Sequence, residues 1–427
     1  MDPAQESSDP AATIVAGRGS GRPSLAPLRH QSTWIILAAF FCINLGVQFI
    51  SPLLPAMRSN LHLSPVEIGW IVGGYSLPAL LVTLPLGILA DVWGSRRVLA
   101  GCLGVFGLAG LGALSADGFP HLLAWRVVQG LAVAPIASIT IAMLADTLPR
   151  AEQAMAQSYR SVVGSASEFV QPVLAGFLLA MAGSWRPAFL LFVLPLGVAV
   201  WAFFGLTDSA PRRVARASGG YSSDALTALR DPAILGVGFA GFARWFLKYG
   251  FFSYVPLYLA SHVHAGPAEI GYVIGIPGLV AALVASQAGR LGLERRGRLA
   301  LILALVVFGA CIPAITLYPS VGWAALVTAV QGLSDGVIGP LLNSFISFLP
   351  AASVRVTVVS VSGLVRNLGK SIAPAAVGAL VLRAGYPLAF GAVGLLSMTA
   401  PVYLLPLLWS SSHSSTTLRA GSGASQK

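Results

Sequence analysis

The chain has 427 residues, of which 56% are hydrophobic and only 10% charged, with a formal net charge of +11. Soluble domains carry about 25% charged residues, so this chain lacks the charge to cover the surfaces of the two or three soluble domains its length implies. A mean hydropathy of +0.79 places it in lipid.

Residues 1–31 are polar, rich in Pro, Ser, Gly and Arg, and lack the apolar core of a signal peptide. They are expected to form a disordered cytoplasmic tail. A bilayer core needs about 20 apolar residues per helix, and twelve such runs follow. They lie near 32–54, 68–90, 98–117, 121–146, 158–182, 187–206, 232–259, 269–289, 299–318, 322–347, 356–382 and 387–409. Gly and Pro recur inside them, as membrane helices tolerate. The alternating segments of about ten residues that a porin-type barrel needs are missing. The glycines at 101, 104, 107 and 110 in the third run predict close helix packing. A polar, basic stretch at 207–230 reads as a cytoplasmic linker, and 410–427 as a second cytoplasmic tail. Cys42, Cys102 and Cys311 stand apart inside predicted spans, so neither a disulfide framework nor a metal cluster is suggested.

With both termini placed inside, eighteen of the 26 Lys and Arg fall in cytoplasmic segments, three in outer loops and five within spans. That asymmetry is a topology signal. It makes anionic lipid of the inner leaflet the expected partner of the basic charge, and not nucleic acid.

The stretch HLSPVEIGWIVG (His62–Gly73) returns as HAGPAEIGYVIG (His264–Gly275), offset by 202 residues with six of twelve positions identical. Gln129-Gly130 matches Gln331-Gly332, and Pro172 and Gly176 match Pro374 and Gly378, at the same offset. Gly46, Pro52 and Ala56 match Gly250, Pro256 and Ala260 at 204. The chain therefore reads as two parallel six-helix halves, 32–206 and 231–409. Such repeats put a binding site between the halves near the membrane midplane.

GILADVWGSRRVL (Gly87–Leu99) resembles the signature of the major facilitator superfamily between its second and third helices, matched at Gly87, Asp91, Gly94, Arg96 and Arg97. Val92 and Ser95 depart from it. Arg126-Val127-Val128-Gln129-Gly130 is similar to the family's fourth-helix motif, and Trp185-Arg186 also fits. Gln171-Pro172-x-x-Ala175-Gly176 only partly matches the fifth-helix motif of the family's antiporter branch. The resemblance implies the major facilitator fold: an all-α membrane protein with twelve transmembrane helices in two parallel six-helix repeats. It also implies that Asp91 and its basic neighbours form a conformational latch; the alternative is a helix-end ion pair that only fixes topology.

Seven ionisable residues fall within predicted spans: Arg126, Glu168, Arg244, Lys248, Asp335, Arg366 and Lys370. Each costs about 2.5–3.5 kcal/mol or more facing lipid, so all should face the interior. Arg244 and Lys248 share a helical face, as do Arg366 and Lys370. In repeat register, Glu168 is the counterpart of Lys370 and Asn44 of Lys248. The surplus of interior cations calls for an anionic substrate, unless carbonyls, Asn343, Gln171 and Tyr249 close the network. Arg244, Lys248, Arg366, Lys370, Asn44, Gln48, Tyr75 and Asn343 are the expected substrate-binding residues. Glu168 and Asp335, with Arg126, are the expected proton-coupling set. Tyr75, Trp245, Phe251, Phe252 and Tyr254 are candidate cavity walls. His62 and His264 sit in matched outer loops and read as helix-entry geometry.

Leu368-Gly369-Lys370-Ser371 mimics the tail of a phosphate loop, but the earlier glycine is replaced by Leu364. No cofactor and no enzymatic activity are expected. The reading is a monomeric, proton-coupled exporter of a small anionic molecule (a siderophore, organic acid or drug) in a bacterial inner membrane. Polyspecific drug efflux, proton-coupled uptake of an organic acid, and a receptor or assembly factor that moves nothing are the alternatives.

Overall fold

A computed structural model of the chain describes residues 25–207, 230–288, 291–292, 294–350 and 355–404. The expected C-terminal tail, residues 1–24 of the expected N-terminal tail and almost all of the expected linker lie outside the described residues; residues 25–31, expected to be disordered, instead form a 3-10 turn at Ala26–Arg29 that leads into the first helix. Every regular element among those described is helical. Ten stretches are long and apolar enough to cross a membrane. One of them, Val361–Tyr403, is two helices separated by Gly385, whose φ of 75° breaks the helical path. Pro232–Tyr258 is long enough to span as well. The described segments thus follow the twelve-helix plan.

In chain order the helices are α1 (Gln31–Leu61); α2 (Pro65–Ser76, continuing as Ala79–Trp93); α3 (Ser95–Ser115) and α4 (Phe119–Thr147); and α5 (Arg150–Ala182) and α6 (Arg186–Gly205). The second half supplies α7 (Pro232–Tyr258), α8 (Pro267–Ala288), α9 (Arg295–Ala314) and α10 (Val321–Phe348). The segment Arg355–Met398 supplies α11 before Gly385 and α12 after it. The face holding the Arg96–Arg97 turn and the starts of the odd-numbered helices is called basic below, and the other face distal.

The repeated stretch marks the same distal corner twice. α1 and α7 both end on a left-handed residue, His62 (φ 52°) and His264 (φ 56°). The histidines thus close the odd-numbered helices; they do not open the even ones. Five residues later in each case, a glutamate satisfies the start of the next helix. Glu67 accepts from the Ser64 backbone N–H (2.8 Å) while Ser64 Oγ accepts from Glu67 N–H (3.3 Å), and Glu269 accepts from Gly266 N–H (2.7 Å).

The glycines after that cap form the seams between the halves. A Cβ on Gly69 or Gly73 of α2 would strike the carbonyls of Pro374 and Ser371 on α11. A Cβ on Gly271 or Gly275 of α8 would strike the carbonyls of Pro172 and Phe169 on α5. All four residue pairs are related by the 202-residue offset. Small residues thus bring helix backbones into contact, as they do at membrane-helix interfaces generally. Tyr254 of α7 adds a tie, its hydroxyl reaching the carbonyls of Pro65 (2.6 Å) and Pro374 (2.8 Å). Ser51 of α1 donates to the Phe252 carbonyl of α7 (2.7 Å).

These cross-half contacts lie from mid-depth to the distal face. Toward the basic face the same register runs into large apolar side chains at matched positions: Leu81 on α2 and Leu283 on α8, Val162 on α5 and Leu364 on α11. They are 77%, 67%, 63% and 52% exposed. The close glycine contacts between the halves thus lie from mid-depth to the distal face, and the matched side chains toward the basic face are exposed. Of the α3 glycines, Gly107 and Gly110 pack on Leu196 and Phe192 of α6, whereas Gly101 and Gly104 face open space. Close packing is confined to the distal two.

Candidate functional site

Where the closed part of the seams ends, four charged side chains form one network. Asp335 on α10 accepts from Arg244 Nε through Oδ1 (2.6 Å) and from Lys248 Nζ through Oδ2 (3.0 Å). Lys248 also donates to both oxygens of Glu168 on α5, at 3.1 Å each. Arg244 and Lys248 are four apart on α7, which is why one carboxylate can bridge them. The side chains of Arg244, Lys248 and Asp335 are 12%, 11% and 9% exposed, and that of Glu168 is 27% exposed. Glu168 belongs to the first half and its partner to the second, so this ion pair also joins the halves.

Lys370 holds no carboxylate among the described residues. Its ammonium lies over the Trp245 ring, 4.0 Å from the centroid, and 5.7 Å from that of Tyr249. Arg366, one turn away on α11, donates to Asn343 Oδ1 (3.1 Å). The sequence register that set Glu168 against Lys370 does not extend to bonding, because the glutamate reaches across to α7 instead. The two interior acids thus serve Arg244 and Lys248, and Arg366 and Lys370 are left with neutral partners.

Arg126 is buried within the first half. It donates to the carbonyls of Gly46 (2.6 Å) and Ile71 (3.1 Å) and to Gln129 Oε1 (2.8 Å), and it stands over the Tyr75 ring. The structure brings it together with Tyr75 and not with Glu168 or Asp335. Tyr75 in turn donates to the Ile43 carbonyl (3.2 Å). Asn44 turns back on its own helix, donating to Phe40 O (3.0 Å).

Two adjoining spaces surround Lys248. Both are narrow; one is lined by Gln48, Ser51, Arg126, Lys248, Tyr249 and Phe252 among others. The other is lined by Gln48, Glu168, Lys248, Phe308, Gln331 and Asp335 among others. Of the expected aromatic walls, Phe252 lines both spaces and Trp245 carries the three cations Arg244, Lys248 and Lys370. Phe251 and Tyr254 are wholly buried packing residues. Sequence reading missed Tyr249 as a wall and Gln331 as a lining residue; Gln331 entered it only as half of a repeated dipeptide. The signal available was its position four residues before Asp335.

At the signature between α2 and α3, Gly94 adopts φ 94° and ends the helix. Arg96 donates to the Leu206 carbonyl (3.4 Å). The side chain of Asp91 and the surroundings of Gly87 lie outside the described residues.

The Major Facilitator Superfamily model matches residues 36–374. The chain belongs to that superfamily. The family's members are membrane transporters rather than enzymes, and the chain is an integral membrane protein. Among curated relatives, the cephamycin export protein CmcT of Amycolatopsis lactamdurans is 31% identical over 207 residues, 47% of this chain and 41% of that one. The uncharacterized transporter YebQ of Escherichia coli (strain K12) is 30% identical over 172 residues, 40% of this chain and 37% of the relative. MdtD of Pectobacterium carotovorum subsp. carotovorum (strain PC1), named for multidrug resistance, is 28% identical over 173 residues, 40% and 36% of the two chains. The chain thus spans about two fifths of the length of the curated relatives it matches. Among solved structures, the nucleoside transporter NupG superposes with a TM-score of 0.69 at 14% identity, covering 88% of this chain and 98% of that one. A bacterial homologue of the human lysosomal transporter Spinster, in an inward-facing and unoccupied conformation, gives 0.66 at 15% identity, covering 91% and 96%. These superfamily neighbours bear on the fold alone.

Proposed function

We propose that this chain is a secondary transporter that exports a small organic anion in exchange for protons, with both termini cytoplasmic in a bacterial inner membrane. The observation that carries this reading is the charge balance of the site: both interior acids are taken, while Arg366 and Lys370 share one face of α11 with only neutral partners. Cations of this kind, partly withdrawn from water, favour an anion that completes their pairing. A cephamycin carries a carboxylate, and the CmcT match agrees with this reading in both charge and direction.

In this orientation the cleft opens to the cytoplasm. An anion reaches Arg366 and Lys370 there, with its body against Trp245 and Tyr249. Rocking of the halves exposes the site to the other side. Proton coupling falls to Glu168, because protonating it removes the ion pair that joins α5 to α7 across the halves. That pair belongs to the distally closed state, so its loss favours opening on the distal side. Arg96, Arg97 and Asp91 would latch the basic side in the opposite state. Drug efflux is the second reading, favoured by the aromatic wall of Trp245, Tyr249 and Phe252 and by the name of MdtD.

The test is thermal unfolding of the purified chain in detergent, parent beside Arg366→Ala, with benzoate, 4-phenylbutanoate and tetraphenylphosphonium. A ligand at 100 times its Kd adds about 2.7 kcal/mol, readily seen in the midpoint. The carboxylates should stabilise the parent and not the variant. Stabilisation by the phosphonium alone, equal in both proteins, would move the assignment to drug efflux.

A further inference from the structure

One interior cation has no part in the network above. Arg160 lies on α5, inside the apolar stretch Met155–Ala182. Read from the sequence it counts with the cytoplasmic cations; the structure puts it in the span. An ionisable side chain there is costly and calls for a partner. Its Nε donates to Gln157 Oε1 (3.0 Å), and its guanidinium carbon stands 4.4 Å from the centre of the Phe40 ring. Neither partner carries charge. The acids on the same helix are engaged elsewhere: Glu152 Oε2 lies 3.2 Å from His30, and Glu168 holds Lys248 at 3.1 Å. Arg160 thus has no ion pair among the described residues.

The side chain is turned inward. Arg160, Gly164 and Glu168 recur every four residues on α5 and so share a face. A Cβ added at Gly164 would stand 3.1 Å from the same Phe40 ring. Phe40 shares a face of α1 with Asn44 and Gln48, and Gln48 lines both spaces around Lys248. Gln157 also donates to the Ile141 carbonyl of α4 (3.3 Å). The guanidinium is therefore set among α1, α4 and α5, the helices that carry Gln48, Arg126 and Glu168, and it is only partly buried. Eight residues of helix put it about 12 Å from the level of Glu168 toward the basic face. At the 202-residue offset Gly164 is the counterpart of Arg366, so Arg160 stands one turn, about 6 Å, nearer that face than Arg366 does. In repeat register Arg160, Arg366 and Lys370 descend from the basic side at intervals of one turn, the first on one half and the others on its copy.

We propose that Arg160 is the entry station for the exported anion, the cation that a carboxylate meets before it reaches Arg366 and Lys370. The inference rests on the anion-transport reading above and deepens it by naming a residue of the first half that draws the acid in. A charge one turn outside the binding pair raises the rate of arrival more than the strength of holding. Because its partners are neutral, Arg160 breaks no ion pair when the acid comes and restores none when the acid moves on.

The experiment follows 4-phenylbutanoate binding to the full chain in detergent by stopped flow, with tryptophan emission reporting arrival beside Trp245. The proteins are the parent, Arg160→Gln, Arg160→Lys and Arg366→Ala. In low salt Arg160→Gln should lower the association rate constant about tenfold and leave the dissociation rate constant within about twofold. The deficit should shrink to about twofold in 1 M salt, where the Debye length is about 3 Å. Arg160→Lys keeps the charge and should restore the rate, whereas Arg366→Ala should speed dissociation. A deficit that ignores salt would mark Arg160 as structural and overturn the station. An unchanged association rate in Arg160→Gln would also overturn it; if Arg366→Ala still loses affinity in that event, the anion site stands and only the station falls. Phosphatidylglycerol added to the detergent separates a lipid phosphate from the transported acid. If it raises the unfolding midpoint of the parent and not of Arg160→Gln, while both bind the acid equally fast, the cation serves a headgroup and the proposal fails. A parent that binds no carboxylate would remove the anion reading and the station together.

Discussion

Neutralising either acid of the central network should have very unequal effects. In Asp335→Asn, Arg244 loses its one carboxylate among the described residues, at 2.6 Å, in a setting only 9–12% exposed. Removing one partner of a buried pair costs about 3–5 kcal/mol, because a desolvated charge is left behind. Glu168→Gln is different. Lys248 keeps Asp335 at 3.0 Å, and Glu168 is 27% exposed, so water already shares its solvation. The loss there should stay near that of a surface pair, at most about 1 kcal/mol. For a cooperative unit of about 150–250 residues, each kcal/mol moves the midpoint by roughly 2–4 °C. Thermal unfolding in detergent should therefore show Asp335→Asn down by roughly 6–20 °C and Glu168→Gln by no more than about 4 °C. Equal shifts, or a larger one for Glu168→Gln, would refute the assignment of Asp335 as the carboxylate on which the network depends.

The seams make a second prediction. Gly271→Val puts a Cβ against the Pro172 carbonyl and Gly176 Cα, and should wedge α5 from α8. Spin labels at Ser59 and Ser261, on opposite halves of the distal groove, should then show a longer mean distance; an unchanged distribution would mean the seam yields without opening. Lys370→Met keeps an apolar contact with Trp245 and removes the charge, so 4-phenylbutanoate affinity should fall about tenfold with little change in unfolding midpoint. A midpoint that falls with affinity would make Lys370 structural. Arg126→Lys replaces a guanidinium making three directed hydrogen bonds with a point charge. It should cost at least about 2 kcal/mol, and a variant as stable as the parent would show those bonds to be dispensable.

Much of the architecture was readable because lipid imposes it. Twelve apolar runs and a duplicated stretch follow from span length and internal symmetry, and the duplicated stretch proves to build both seams. The unusual interior charges were equally visible, since each is expensive in a membrane. Their partners were not. Arg126 is satisfied by carbonyls of Gly46 and Ile71 on two other helices, and a backbone carbonyl has no sequence signature. Glu168 stands in register with Lys370 yet bonds Lys248, because pairing depends on how the halves face one another rather than on register within each. Gln331 escaped notice for the converse reason: its buried amide has no hydrogen-bond partner among the described residues, and that shows only once its surroundings are built.

The two ends of the seams differ in chemistry. On the distal side closure is made by backbone against backbone, with glycines that bring almost no apolar side chain to bury. On the basic side the register opposes Leu81 to Leu364 and Leu283 to Val162, all more than half exposed in this conformation. A closure of that side that takes these four apolar side chains out of water should carry a negative heat capacity. Cooling weakens such a step, and turnover should slow more steeply in the cold than a single activation energy allows. The two strokes of the cycle would then respond differently to temperature, although the helices that perform them are copies of one another.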